Sequence, residues 1–192
     1  DAVLGRLGVP ADKTVFIYGG NLGKPQGVDF LLDVVEANER LGRSFIVVVG
    51  SGTEYPRVER WFAGRRPRNS RLFKVLPKAE YDRLVRVCDV GLIFLDRRFT
   101  IPNYPSRLLS YLENGMPVLA ATDVNTDIGR IARENGYGDW VESGDLAGFV
   151  RLLERYSADR ELVRKEGERG RRYLEEYYTV AKSYAIIMRH FE

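Results

Sequence analysis

Short apolar runs alternate with amphipathic segments along most of the chain. The runs at residues 15–18 and 44–49 are rich in Val, Ile and Phe, as expected for strands buried on both faces. In the segments between the runs, apolar residues recur three and four positions apart, the spacing of a helix that packs one face on a sheet. The predicted strands are residues 15–18, 44–49, 72–75, 90–95, 117–121 and 138–141. The predicted helices are residues 28–41, 55–62, 80–88, 105–114, 126–134 and the chain from residue 145, with breaks near residues 157 and 178–179.

This order of elements predicts an α/β fold. Strands and helices alternate with short connections, which favours right-handed βαβ crossovers and a parallel sheet covered on both faces. We therefore predict a Rossmann-like open parallel sheet with helices on both faces. The chain has 192 residues, and we predict a single domain over residues 1–192, since this length suits one well-buried core.

Composition excludes several classes of function. Charged residues make up 30% of the chain and the net charge is +3. Acids and bases are interleaved, so no nucleic-acid partner is predicted. The single cysteine, Cys88, cannot form an internal disulfide, and its apolar neighbours favour a core position over a reactive thiol. No apolar run approaches the roughly 20 residues that span a bilayer, and no signal peptide is visible, so a cytoplasmic location is expected. The chain begins at Asp1 without a methionine, which indicates a piece of a longer protein.

A glycine-rich segment, residues 19–27, directly follows the first predicted strand. Glycines at this position let the backbone approach a ligand closely, and the carboxyl edge of a parallel sheet is where such folds bind nucleotides. The segment contains neither G-x-G-x-x-G nor a Walker sequence. The later segment 50–52 is also incomplete, with Tyr55 where a third glycine would fall. Each segment alone could be only a tight turn.

The predicted helix 105–114 carries a more specific signal. Pro105 suits the first helical position, and a buried stripe is predicted from Leu108, Leu109 and Leu112. A polar stripe on the opposite side consists of Asn103, Arg107, Ser110 and Asn114. Arg107 then lies in the first turn, beside free amide groups that favour an anion. A cation there makes sense if a phosphate lies between it and the helix end. The alternative is a surface arginine on a solvated helix.

The strand-to-helix turn at residues 76–81, Leu-Pro-Lys-Ala-Glu-Tyr, could read a nucleobase edge through its backbone, or be only a turn. Sequence patterns for other chemistries are missing, including Asp-x-Asp, Cys/His ligand spacing and G-x-S-x-G. The single histidine, His190, lies near the end of the chain, which disfavours a His-based triad. We therefore predict no metal and no cofactor.

Taken in order, these motifs resemble the C-terminal, nucleotide-sugar-binding half of retaining GT-B glycosyltransferases of the "glycosyl transferases group 1" family. The resemblance covers nearly the whole chain. Its motifs are Gly-Asn-x-Gly-x-x-Gln-Gly at residues 20–27, Val-Val-Gly-Ser-Gly at 48–52, Leu-Pro at 76–77, Cys-Asp-Val-Gly-Leu-Ile at 88–93 and Pro-Ser-Arg-Leu-Leu-Ser-Tyr-Leu-Glu-Asn-Gly-Met-Pro-Val-Leu-Ala at 105–120. This version resembles the branch that makes bacterial capsule, O-antigen or exopolysaccharide.

The resemblance implies a donor site. The diphosphate of a nucleotide sugar, with a UDP-sugar favoured, would lie between the Gly20 segment and the helix that follows Pro105, with the base against Leu76–Pro77. Catalytic cations would be Arg107 and Lys24. Donor-binding residues would be Gly20, Asn21, Gly23, Gln26, Gly50, Ser51, Gly52, Leu76, Pro77, Asn103, Tyr104, Ser106 and Ser110.

This chain departs from the family pattern at four positions. Asn21 and Gln26 stand where the family often has Arg and Lys, and Pro102 and Ser110 replace the family's Glu-x7-Glu pair. The cationic role would then fall to Arg107, with Lys24. A serine at position 110 can still hydrogen-bond a hydroxyl, although more weakly than a carboxylate.

The resemblance further implies that an N-terminal domain, absent from this chain, supplies the acceptor site and the remaining catalytic groups. The chain alone is therefore expected to bind donor without turnover. The intact enzyme could act at the inner face of a membrane, as a peripheral protein. Two other classes remain open: a GT-B-shaped UDP-sugar epimerase, and a flavodoxin-like interaction module without catalysis.

Overall fold

The computed structural model describes residues 5, 7–98, 104–179, 182, 184 and 188. The strands are β1 (Thr14–Asn21), β2 (Ser44–Ser51), β3 (Ser70–Phe73), β4 (Val90–Phe94), β5 (Val118–Thr122) and β6 (Gly138–Glu142). The helices are α1 (Val28–Leu41), α2 (Tyr55–Arg65), α3 (Lys78–Arg86), α4 (Arg107–Glu113), α5 (Ile128–Glu134), α6 (Leu146–Ala158) and α7 (Arg160–Tyr177), with a short 3-10 turn at Lys24–Gln26.

The strands form one parallel sheet in the order β3-β2-β1-β4-β5-β6. The chain runs outward from β1 to β3, then crosses back to place β4 on the other side of β1. This reversal between β1 and β4 is the topological switch point at which open α/β sheets leave a crevice. The predicted α/β fold with helices on both faces is confirmed.

Continuous apolar runs make the strands because both faces of the sheet are buried. The helices divide between two core clusters. The first cluster includes Leu84 of α3 and Leu108 of α4, and Leu174 of α7 packs against it. The second includes Leu31 of α1 and Phe149 of α6. These two layers hold the sheet rigidly, and the ends of its strands are therefore fixed in position for a site.

Element boundaries differ from the sequence prediction at the glycine segments. β1 continues through Gly19 and Gly20, and β2 continues through Gly50, because the two segments pair with each other as Gly19↔Val49 and Gly20↔Gly50. Glycine is a weak strand former by itself, but a parallel partner satisfies its backbone hydrogen bonds. What was predicted as a turn beginning after Tyr18 is therefore extended strand as far as Asn21.

Several other boundaries are also shifted by a few residues. β3 spans Ser70–Phe73 rather than residues 72–75, because its pairing with β2 begins at Ile46↔Ser70. α4 begins at Arg107 rather than Pro105, within the usual one- to two-residue spread of helix ends. In the described part of the chain, no helix combines the length and apolar character needed to cross a membrane.

Candidate functional site

A cavity of about 770 Å³ opens at the carboxyl edge of the sheet, beside the switch point between β1 and β4. The ends of β1 and β2 form one wall, and the segment that leads into α4 forms another. The segment between β3 and α3 contributes a third wall. The lining residues are Gly19, Gly20, Asn21, Gln26, Val49, Gly50, Ser51, Val75, Leu76, Lys78, Tyr81, Tyr104, Pro105, Ser106, Arg107 and Ser110.

The glycines leave bare backbone on the cavity wall. Gly20 has φ +135°, and a Cβ there would lie 3.3 Å from the guanidinium carbon of Arg107. A Cβ on Gly50 would lie 1.9 Å from the carbonyl oxygen of Gly20. Side chains at either position would therefore force apart the strand ends or push Arg107 away, and glycine is required for both close approaches.

Tyr111 fixes the end of β1. The register of β1 with β4 contains Phe16↔Val90 and Ile17↔Gly91. Beyond it, the buried Tyr111 hydroxyl accepts from the Gly19 N–H at 3.0 Å and donates to the Ile17 carbonyl at 3.1 Å. The hydroxyl thus takes the place of a backbone partner in β4. The buried Gly19 N–H would otherwise have no acceptor.

Arg107 lies against Gly20 at the centre of the cavity wall. Its Nη2 donates to Oε1 of Gln26 at 2.7 Å, and its guanidinium carbon lies 4.5 Å from the centroid of the Tyr18 ring. The Tyr18 hydroxyl in turn donates to the carbonyl of Asn21 at 2.7 Å. The other terminal nitrogen of Arg107, Nη1, is buried and has no hydrogen-bond partner among the described residues. Such a donor calls for an acceptor.

The cavity is electrically positive. Its described lining contains the cations Lys78 and Arg107 and no carboxylate. Burial by itself would lower the pKa of Arg107, but the adjacent Tyr18 and Tyr111 side chains raise it, and the net shift is upward. Burial raises the pKa of Tyr81 as well. The tyrosines therefore stay neutral and Arg107 stays charged, which suits an anionic ligand.

Part of the cavity lining is apolar. Val75 is 66% exposed and lines the cavity together with Leu76 and Tyr81. A Cβ on Gly19 would lie 2.2 Å from the Tyr81 hydroxyl, so the ring edge reaches the end of β1. A planar apolar group could pack here while polar groups extend toward Arg107.

Most predicted site residues meet at this cavity. Those that line it are Gly20, Asn21, Gln26, Gly50, Ser51, Leu76, Tyr104, Ser106, Arg107 and Ser110. Lys24, Gly23, Gly52 and Pro77 do not belong to its described lining. Asn103 and Pro102 lie outside the described residues.

The four residues away from the lining have other surroundings. Gly23 is the N-cap residue of the 3-10 turn. Lys24 is exposed on the 3-10 turn, so its predicted catalytic role has no support from the cavity geometry. A Cβ on Gly52 would lie 2.5 Å from the carbonyl oxygen of Leu22, so this glycine is needed for the turn itself. Pro77 precedes α3 as its N-cap residue.

Sequence reasoning missed several side chains around the site: the aromatic residues Tyr18, Tyr81 and Tyr111, the apolar residues Val49 and Val75, and the cation Lys78. Each of the tyrosines has the spacing of a core residue, and nothing in a single sequence separates that use from a site. The juxtaposition of Tyr18 with Gly19 and Gly20 was the available signal. No group of His, Cys, Asp or Glu that could hold a metal ion occurs among the described residues.

No protein-family model matches the chain, but it is similar to curated proteins. The probable glycosyltransferase WbjE of Pseudomonas aeruginosa is 28% identical over 144 residues, 74% of this chain and 35% of that protein. The putative colanic acid biosynthesis glycosyl transferase WcaI of Escherichia coli K12 is 27% identical over 133 residues, 68% of this chain and 32% of that protein. The chain therefore spans about a third of the length of the curated relatives it matches.

Solved structures share the fold. Alr3699/HepE of Anabaena, in complex with UDP, matches with a TM-score of 0.77 at 15% identity, over 99% of this chain and 51% of that one. The C-terminal domain of the glycosyl transferase group 1 family protein LpcC from Francisella tularensis matches with a TM-score of 0.72 at 14% identity, over 93% and 92% of the two chains. At such identities the likeness establishes the fold.

The chain thus has the fold of GT-B glycosyltransferase neighbours, and the curated proteins that it is similar to are named as glycosyltransferases. The resemblance to the C-terminal half of group 1 GT-B enzymes, predicted from the sequence motifs, is confirmed.

Proposed function

We propose that this chain is the donor-binding domain of a retaining glycosyltransferase, and that its cavity binds a nucleoside-diphosphate sugar. The favoured donor is a UDP-sugar. The transfer would go to a glycan or lipid-linked acceptor in bacterial polysaccharide synthesis. The UDP complex of a fold neighbour and the name of the WcaI relative support this choice.

One observation carries the proposal: the half-buried guanidinium of Arg107 lines the cavity directly beside the bare backbone of Gly20. Charge-assisted hydrogen bonds from arginine to phosphate are about twice as strong as neutral ones. A diphosphate at this place would accept hydrogen bonds from the guanidinium and neutralise a half-buried cation. The Arg107 guanidinium and the Gly20 backbone lie together because the end of β1 and the start of α4 meet at the switch point.

The rest of the donor would follow from the polarity of the cavity. A uracil ring would lie against Val75 and Leu76, where the lining is apolar, and the ribose would lie near Ser110. The sugar would then project away from the base, beyond the diphosphate. Tyr104, which is 47% exposed, lines the cavity on the α4 side.

The difficult chemical step is departure of the nucleoside diphosphate from the anomeric carbon. Negative charge develops on the diphosphate oxygens as this bond breaks, so fixed donors aimed at those oxygens lower the barrier. Arg107 and the Gly20 backbone would act in this way. Contact of the diphosphate with Arg107 requires no other cation of this chain, although Lys78 lines the same cavity.

An acceptor site is expected from an N-terminal domain of the intact enzyme, because the curated relatives are about three times as long as the matched part. We therefore propose that residues 1–192 form the donor domain alone and bind donor without turnover. The intact enzyme would act in the cytoplasm or at the inner face of the membrane.

Titration calorimetry with UDP tests the proposal. Arg107→Ala should weaken binding by on the order of 1.5–3 kcal/mol, the worth of a hydrogen bond to a charged group, or about 10- to 150-fold. Uridine should bind equally to both proteins, since it has no diphosphate.

The matched control is Arg130→Ala. Arg130 is exposed and pairs with Glu134 one turn along α5 at 3.0 Å, so this variant should bind UDP like wild type. Equal UDP affinity for wild type and Arg107→Ala, or tight binding of FMN in place of UDP, would remove the basis of the proposal.

A further inference from the structure

Gln26 is held rigidly beside Arg107. It ends the Lys24–Gln26 turn, and its backbone N–H donates to the Gly23 carbonyl at 3.0 Å. The carbonyl of Pro25 accepts from the Asp96 N–H at 2.9 Å, which ties the turn to the chain after β4. The Gln26 side chain is 7% exposed, so its amide has few alternative positions.

The contacts on Arg107 leave its guanidinium little freedom. Oε1 of Gln26 accepts from Nη2, and the Tyr18 ring lies under the guanidinium carbon. A guanidinium is planar and rigid. Fixing one terminal nitrogen and one face therefore fixes the orientation of the whole guanidinium.

We infer that Gln26 is a positioning residue, which holds Arg107 so that its guanidinium is ready to bind the anionic part of the ligand in the cavity. This inference rests on the proposed function. Gln26 acts through Arg107 and needs no contact of its own with the ligand. Its benefit is pre-organisation, since an arginine that is already ordered loses less side-chain entropy when it binds.

The neutrality of the amide is part of the argument. A carboxylate at position 26 would also accept from Nη2, but it would cancel the charge that attracts the diphosphate. An ammonium group could not accept at all and would repel the guanidinium. Among acceptors, glutamine orders the arginine and leaves its full charge available to the ligand.

A double-mutant cycle tests this role, with UDP and uridine as ligands in calorimetry. Gln26→Met keeps the length and burial of the side chain and removes the acceptor. It should weaken UDP binding roughly 3- to 10-fold, as expected for the loss of one hydrogen bond, and leave uridine binding unchanged. In the Arg107→Ala background, Gln26→Met should cause no further loss of UDP affinity, since it acts through Arg107.

Gln26→Glu gives the second arm. It preserves the acceptor but adds a negative charge, so UDP affinity should fall by more than tenfold and depend less on salt. Thermal melting of each variant shows that the chain remains folded.

The outcomes separate this inference from the proposed function. If Gln26→Met weakens UDP equally in both backgrounds, Gln26 contacts the ligand directly and the positioning role is wrong. If neither Gln26 variant changes UDP affinity while Arg107→Ala does, the inference fails and the donor site stands. If wild type does not bind UDP, both fail.

Discussion

Tyr111→Phe should destabilise the chain through a single buried hydroxyl at the end of β1. The ring stays, and so does its close packing on Gly91, where a Cβ would lie 2.3 Å from the ring. The Gly19 N–H loses its acceptor, which lies at 3.0 Å in the wild type. Because this donor is buried, leaving it unsatisfied costs about 1–3 kcal/mol.

The central value of about 2 kcal/mol corresponds to a Tm lower by about 4–8 °C for a chain of this size. Urea unfolding should show a lower midpoint with an unchanged m-value, because the surface exposed on unfolding is the same.

Tyr55→Phe is the matched control for this variant. The Tyr55 hydroxyl donates to Glu59 at 3.3 Å on the surface, and its loss should stay within about 0.5 kcal/mol, as for most surface substitutions. If Tyr111→Phe unfolds with the same free energy as its control, the hydroxyl is not the partner that completes β1.

Two other predictions concern buried titratable groups. Cys88 is 7% exposed and burial raises its pKa, so a thiol reagent at pH 8 should label the chain only after unfolding; rapid labelling of the native chain would contradict this. Burial also raises the pKa of Glu166 above 4.5, and hydrogen bonding from Tyr156 offsets this only in part. Glu166 therefore stays protonated to a higher pH in the native state than in the unfolded state. Its contribution to the free energy of unfolding is fully present below pH 4.5 and is lost as the pH rises through the native pKa of Glu166. Glu166→Gln should therefore gain stability relative to wild type between pH 4 and pH 7 in urea titrations, and a pH-independent difference would show that the sign is wrong.

Much of the fold was predictable because both layers of helices bury the sheet. Apolar runs without alternation identify strands such as residues 44–49, and the helix spacing at 28–41 agrees with α1. The break near Ser157 falls at Asp159, whose side chain accepts from the Leu162 N–H and begins α7. These signals are local, so a single sequence contains them.

What escaped prediction depends on pairing between distant segments. Gly20 is extended because it pairs with Gly50, thirty positions later in the chain, and no local propensity reports such a partner. In the same way, Tyr111 looks like a core residue of α4 until the separation of β1 from β4 brings Gly19 within reach of its hydroxyl.

Only part of the site was predictable, because some of its contacts also join distant segments. The approach of Arg107 to Gly20 followed from the rule that strand ends of a parallel sheet share one edge, and the structure places the two side by side. The partner of Arg107 was not predictable, since the contact between Gln26 and Arg107 depends on side-chain geometry across 81 positions.

The account depends most on where a diphosphate binds. The direct measurement is a crystal structure of this chain with UDP. We expect a phosphate oxygen at about 2.7–2.9 Å from a guanidinium nitrogen of Arg107, the distance of a charge-assisted hydrogen bond, with the uracil against Val75 and Leu76. UDP bound with its phosphates away from Arg107, or outside the cavity beside Gly20, would contradict the account.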